Sequence, residues 1–232
     1  NSCFNPSIVT AGNNASFVAS PCVDKQGNYY LAGHYNGTIT IGTTTLSGVG
    51  NRDLFLVKYN SCGQPQWAIR AGSSGDQDIS GGGGRAVAVD ATGNIYWVGR
   101  YNQQLTVYGT NGSSFVAPYT STSNGNHQDG FLVKLSPTGA VLWGATSRGT
   151  SNDGFNGVVV DNNNNPIVTG GFNGCCPSSF AVTIYGPNGS VGISSFGSNY
   201  GSGMVVKFDP SGNIIWKASI YNRDTAVSYT HL

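Results

Sequence analysis

The sequence predicts an all-β protein built as a tandem array of antiparallel sheets, on three observations. The composition comes first: of 232 residues 35 are Gly, every acidic residue is Asp with no Glu at all, and only 9% are charged, against about 25% in an average soluble domain. Glu and Lys favour helix, whereas Gly, Asn, Ser, Thr and Asp favour turns and strands, so helix is disfavoured throughout. The second observation is a hairpin written three times, at residues 55–67, 131–143 and 204–216. Each copy has an apolar strand with one lysine (Lys58, Lys134, Lys207), a five-residue turn with glycine fourth (Gly63, Gly139, Gly212), and a return strand reaching Trp67, Trp143 or Trp216. The third is a second hairpin ahead of each of these, turning on Asp24, Asp90 and Asp161.

The elements follow in order. Residues 7–12 match residues 67–72, so residues 1–16 read as the tail of a preceding unit. The first hairpins turn on Asp-x-x-Gly-Asn at Asp24 and Asp90, which fits a type I turn followed by a residue at positive φ. Asn164 replaces that glycine in the third copy, a substitution Asn tolerates. Residues 38–42, 105–109 and 182–186 alternate apolar residues with Thr, the pattern of a half-exposed strand. The central hairpins place Phe55, Val57 and Tyr59 on one face and Leu56 and Lys58 on the other. If sheets pack face to face, each lysine runs its methylenes across the neighbour and the tryptophans act as core wedges.

This organisation divides the chain into residues 1–16, then units at 17–84, 85–156 and 157–225, then a tail at 226–232 that reads as a translated sequencing adapter. Four principal strands and an outer excursion per unit are what one β-propeller blade uses, although blades are usually shorter. About three blades of roughly seventy residues make an incomplete ring, because closure takes ~4 to 8. Further repeats of the same chain, or self-association, are therefore expected to cover the open faces.

The formal net charge of +1 and the lack of a basic block argue against nucleic acid. No apolar run approaches the ~20 residues that span a bilayer. The five cysteines (Cys3, Cys22, Cys62, Cys175, Cys176) lack zinc-type spacing, and disulfides in an oxidising compartment are the expectation, with Cys3–Cys22 the first candidate pair.

Asp-x-x-Gly-Asn-x-Tyr-x-x-Gly, followed by Asp-x-Phe-x-x-Lys-Tyr and Gly-x-x-x-Trp, resembles the SBBP-type β-propeller repeat proteins of bacterial envelopes over residues 17–225. The resemblance implies a propeller fold and an extracellular or cell-surface, adhesive setting, and it brings no shared catalytic motif. Lys-Leu at 134–135, Lys-Phe at 207–208 and Ser202 in place of Asp53 and Asp129 depart from the pattern.

Candidate chemistry is sparse. Glycines 81–84 precede a strand without Gly-Lys-Ser/Thr, which fits an inter-blade loop better than a phosphate cradle. Asp76, Asp78 and Asp153, with Asp224 in the matching loop, could supply oxygen ligands to Ca2+ or cap turns beside Arg70, Arg148 and Arg223. The pairs Tyr35–Asn36, Tyr101–Asn102 and Phe172–Asn173 suit stacking and hydrogen bonding of a sugar ring, or alternatively a blade-edge cap with an Asx turn. His34 and His127 have no sequence-paired Cys or Glu, and no other cofactor is indicated. The expected function is a structural or adhesive module binding protein or glycan through its loop faces. The rivals are a glycosidase or lyase with its site in the propeller funnel, and an inert spacer in a surface array.

Overall fold

A computed structural model describes residues 10–11, 15–18, 21–78, 85–118, 127–149, 151–173, 180–194, 201–220 and 228–231. Cys3, Cys175, Cys176, glycines 81–84, Arg223 and Asp224 lie outside them. Two short strands come first, β1 (Thr10–Ala11) and β2 (Ala15–Val18). The first unit supplies β3 (Cys22–Val23), β4 (Tyr29–Tyr35), an excursion hairpin β5 (Thr38–Ile41) and β6 (Thr44–Ser47), and the central hairpin β7 (Asp53–Tyr59) and β8 (Pro65–Gly72). That unit ends on β9 (Gln77–Asp78), which joins the sheet of the next, and the second supplies β10 (Val87–Val89), β11 (Ile95–Tyr101), the excursion β12 (Thr106–Tyr108) and β13 (Ser114–Val116), and the central β14 (Asp129–Leu135) and β15 (Val141–Gly149). The third supplies β16 (Asp153–Val160), β17 (Pro166–Asn173), the excursion β18 (Phe180–Gly186) and β19 (Gly189–Ser194), and the central β20 (Gly201–Phe208) and β21 (Ile214–Ile220), followed by β22 (Ser228–His231).

The chain is all-β, and its repeated antiparallel sheets have the form of β-propeller blades. Sheet and sequence unit are offset from each other. The excursion of each unit pairs with the outer strand of the preceding blade: β12 adds to β8 through Val107 opposite Ala71, and β18 adds to β15 through Ile184 opposite Ser147. The first excursion likewise pairs with β1, giving a three-stranded sheet β1-β5-β6. In the last blade β22 takes that outer position, with Ser228 opposite Ser219. Each blade is therefore tied to the next by strand pairing as well as by packing.

The turn chemistry follows the sequence closely. Gly27 and Gly93 take φ of 79° and 85°, and Asn164 takes the same place at 64°. Asp90 holds its turn with one carboxylate oxygen accepting the Thr92 and Asn94 N–H groups and the other accepting the Asn94 side chain. Asp24, Asp161 and Asp209 make the corresponding bonds to Asn28, Asn165 and Asn213. Burial opposes the Asp24, Asp90 and Asp209 carboxylates, but these donors outweigh it and hold them below the ordinary value.

The blades stack face to face around three buried clusters. The first lies between the three-stranded sheet and blade one (Ile39, Ile41, Phe55, Val57), and the second between blades one and two (Leu54, Leu56, Ile69, Trp97, Phe131, Val133). The third joins blades two and three (Val98, Leu132, Phe155, Val168, Val206, Phe208). Alternation along each strand assigns consecutive residues to opposite clusters, as with Phe131 and Leu132.

Two expectations change. Cys22 is a free thiol, so the Cys3–Cys22 pair is not made; no disulfide joins two cysteines among the described residues, and Cys62 is not free. The repeated tryptophans are not the deepest wedges: Trp67, Trp143 and Trp216 are half-buried, whereas Trp97 is fully buried. Among the described residues no helix is long and apolar enough to cross a membrane.

Candidate functional site

The central hairpins of blades one and two each carry a clasp. Lys134 on β14 stands opposite Trp143 on β15, so both side chains leave the same face. Lys134 Nζ donates to the Pro210 carbonyl at 2.7 Å, and Trp143 Nε1 donates to the same oxygen at 3.1 Å. Pro210 is second in the β20–β21 turn, one blade along. Blade one repeats the arrangement, with Lys58 Nζ at 3.3 Å and Trp67 Nε1 at 3.2 Å from the Pro137 carbonyl. Each ammonium also lies 5.4 Å from a buried tyrosine ring, Tyr30 or Tyr96. Burial lowers the Lys134 pKa. The positive-φ glycines 139 and 212 leave room for the preceding tryptophan, since a Cβ there would stand 3.0 Å from Trp67 and 3.1 Å from Trp143. The lysine and tryptophan thus serve blade-to-blade assembly.

The proposed sugar platforms are placed differently. Tyr35, Tyr101 and Phe172 are buried, at 0%, 0% and 1% exposure, so no sugar can stack on their faces in this structure. Of the amides beside them, Asn36 and Asn173 are exposed, while Asn102 joins the loop after β8 through backbone bonds to Asp76 and Ser73. Register explains the aromatic: Tyr35 faces Asp53, Tyr101 faces Asp129, and Phe172 faces Ser202. The tyrosine hydroxyl and the carboxyl across from it disappear together in the third copy.

The calcium set does not assemble. Asp78 pairs with Arg52 at 4.0 Å and lies in β9 at the edge of blade two, while Asp153 begins β16 in blade three. No three His, Cys, Asp or Glu among the described residues come together as a metal cluster. Asp153 instead meets Asp129, a residue missed at the level of sequence although its alignment with Asp53 was visible. Both carboxyls are buried next to each other, and Ser147 Oγ donates to Asp153. Burial pushes Asp129 up to about 7 and, with the Asp129 charge, pushes Asp153 well above the ordinary value. Two neighbouring buried carboxyls cannot both ionise cheaply, so the pair holds on to a proton. At the joint of blades one and two Gln77 of β9 stands where Asp153 does, bonded to Ser73, and Asp53 accepts the Val49 and Gly50 N–H groups.

The open surface offers a shallow groove of about 350 Å3 between β6, β8 and the end of β12. In it the Arg70 guanidinium stacks on the exposed Tyr108 ring at 3.9 Å, the two being opposed in the β8–β12 ladder. The matching pair in blade two is Thr146 and Tyr185, so the guanidinium is particular to this blade. Sequence reasoning noted Arg70 but not its stacking, because the excursion's pairing with the preceding blade was not foreseen.

No protein-family model matches the chain. Over 176 residues, 71% of the chain, it is 24% identical to an uncharacterized WD repeat-containing protein of Acanthamoeba polyphaga mimivirus. The chain is a β-propeller-like repeat protein. The match covers 12% of the viral protein's length.

Proposed function

We propose that the chain is a non-catalytic protein-interaction scaffold of the cell surface, engaging a protein partner through the Arg70–Tyr108 groove and the loops around it. One observation carries this reading. In blades one and two the recurring lysines, tryptophans, buried tyrosines and turn aspartates are occupied in clasps, turn caps and buried joints, so distinct recognition has to come from what differs between copies, and the Arg70 guanidinium over Tyr108 is such a difference. The WD-repeat relative supports an interaction module, and the resemblance to envelope repeat proteins supports the cell-surface setting. A protein fits the groove better than a glycan does, because the guanidinium already covers the tyrosine face on which a sugar would stack.

Binding of the immobilised chain to fractionated surface proteins and to a glycan array tests the reading, with Arg70→Ala and Tyr108→Ala as controls. The expected result is saturable protein binding lost in both variants. Glycan binding that survives both substitutions, or release of reducing ends from a polysaccharide, would overturn it, and binding to nothing would leave the spacer.

A further inference from the structure

The groove beside Arg70 is bordered by a free strand edge. β6 lies last in its sheet and pairs only with β5. Ile41 stands opposite Thr44 across the Gly42–Thr43 turn, and the Gly48 N–H donates to the Gly37 carbonyl, so the hydrogen-bonded pairs are Ile41 with Thr44, Ile39 with Leu46 and Gly37 with Gly48. Thr45 and Ser47 fall between them. Their backbone N–H and C=O groups therefore point away from β5, with no ladder partner among the described residues. Both residues are exposed and line the groove. This edge is on the far side of the sheet from β1, so it does not depend on what precedes the chain.

The other two joints close the corresponding edges from the next blade. At the second, the Phe115 ring of β13 packs on Gly144 of β15; at the third, the Lys217 ammonium donates to the outward carbonyl of Gly192 in β19, the position that Ser47 holds in β6. Gly144 and Lys217 each follow the hairpin tryptophan. Ala68 holds that place at the first joint, with neither a donor nor a ring against it, and about 350 Å3 stays open, within the ~300–1,000 Å3 of binding clefts. Beside the opening, Tyr108 stands opposite both Arg70 and Ser114, and Val116 lies two residues beyond Ser114, so Arg70, Tyr108 and Val116 share one face. Tyr108 and Val116 are exposed on it.

We propose that an extended segment of a partner protein adds to the Thr45–Ser47 edge as a further strand, setting an Asp or Glu side chain on the Arg70 guanidinium and an apolar side chain two residues away on Tyr108 and Val116. The backbone groups call for a strand, because only another strand offers donors and acceptors at their spacing. The charge calls for a carboxylate: Arg70 is the one ionisable cation lining the groove, no acidic residue lines it, and Nη1 is buried without a hydrogen-bond partner. Asp53 attracts the guanidinium without bonding to it. The inference rests on the reading of this groove as a protein-binding surface and specifies the form of its ligand.

The probe is a random octapeptide library displayed on phage and selected on the immobilised whole chain, after which enriched sequences are synthesised with a fluorescent label and titrated by anisotropy. The enriched set is expected to carry Asp or Glu two positions from an apolar residue, and Arg70→Gln should weaken binding at least about tenfold. Methylating one alternate set of peptide backbone nitrogens should abolish binding and methylating the other should leave it unchanged, the signature of a strand bonded along one edge. Thr45→Pro removes an outward N–H where an edge tolerates proline, and should also weaken binding about tenfold; the methylated peptides give the same answer without altering the protein. Binding lost in Arg70→Gln and Tyr108→Ala yet indifferent to N-methylation would overturn strand addition and leave the groove a protein-binding surface. Binding indifferent to both substitutions would overturn both readings, and a library without an enriched acidic motif would overturn the proposal.

Discussion

Lys134 and Trp143 reach one oxygen, the Pro210 carbonyl of the next blade, from adjacent strands of the same hairpin. The bond formed by Trp143 can be separated from the packing of its ring. Trp143→Phe should cost about 1 kcal/mol, the worth of a net hydrogen bond, and Trp143→Ala about 3 kcal/mol once the ring is lost as well. Urea unfolding followed by circular dichroism measures both; equal effects would show that the carbonyl contact contributes nothing.

The turn glycines provide an internal control. Gly139 and Gly63 share the left-handed backbone, at φ of 86° and 73°, but only Gly139 is backed by Trp67. Gly63→Ala should cost about 1 kcal/mol from backbone strain alone. Gly139→Ala should cost ~1 kcal/mol or more beyond that, because the methyl enters the clasp. Comparison of the two midpoints checks the difference, and an equal cost would mean that the indole moves aside freely.

Much of the fold was legible because local chemistry and tertiary role agree. Asp24, Asp90 and Asp161 announce turns that their side chains then hold, and alternation at Phe131 and Leu132 assigns both faces correctly. The destination of the excursions was not legible, since alternation in residues 182–186 states that a strand forms but not which blade receives it. The joint of Asp129 with Asp153 was hidden for the same reason: the residues are 24 positions apart in different blades. The buried state of Tyr35 and Tyr101 was hidden too, because an aromatic beside Asn reads alike at an exposed rim and inside a joint.

That joint should make stability fall as pH rises. The folded-state pKa values of Asp129 and Asp153 lie above the unfolded carboxylate range near about 4, so the native state keeps a proton that the unfolded chain releases. The contribution is full below about pH 4 and declines above it, through the region of about 7 to which Asp129 is raised and on through the titration of Asp153. Asp153→Asn still accepts from Ser147 and removes the second charge. It should raise stability at pH 8 by on the order of 1–3 kcal/mol and flatten the profile between about pH 5 and 8. Thermal melts across that range measure it, and parallel profiles for parent and variant would refute the shared proton.

The same joint yields a test written by the protein's own third copy. The Tyr101 hydroxyl is buried beside Thr146 without a hydrogen bond of good geometry, and neither oxygen of Asp129 has one. Phe172 and Ser202 fill these two register positions in blade three. Tyr101→Phe removes an unsatisfied buried group while keeping the ring, and should stabilise by up to about 1 kcal/mol. Asp129→Ser alone should also stabilise at pH 8, by relieving the charge conflict with Asp153. The hydroxyl and the carboxyl oppress the same space, so the double variant should gain less than the sum of the two, with a coupling of about 0.5 kcal/mol or more in a double-mutant cycle. Strict additivity would mean that they are independent, and destabilisation by Tyr101→Phe would mean that the hydroxyl is satisfied in solution.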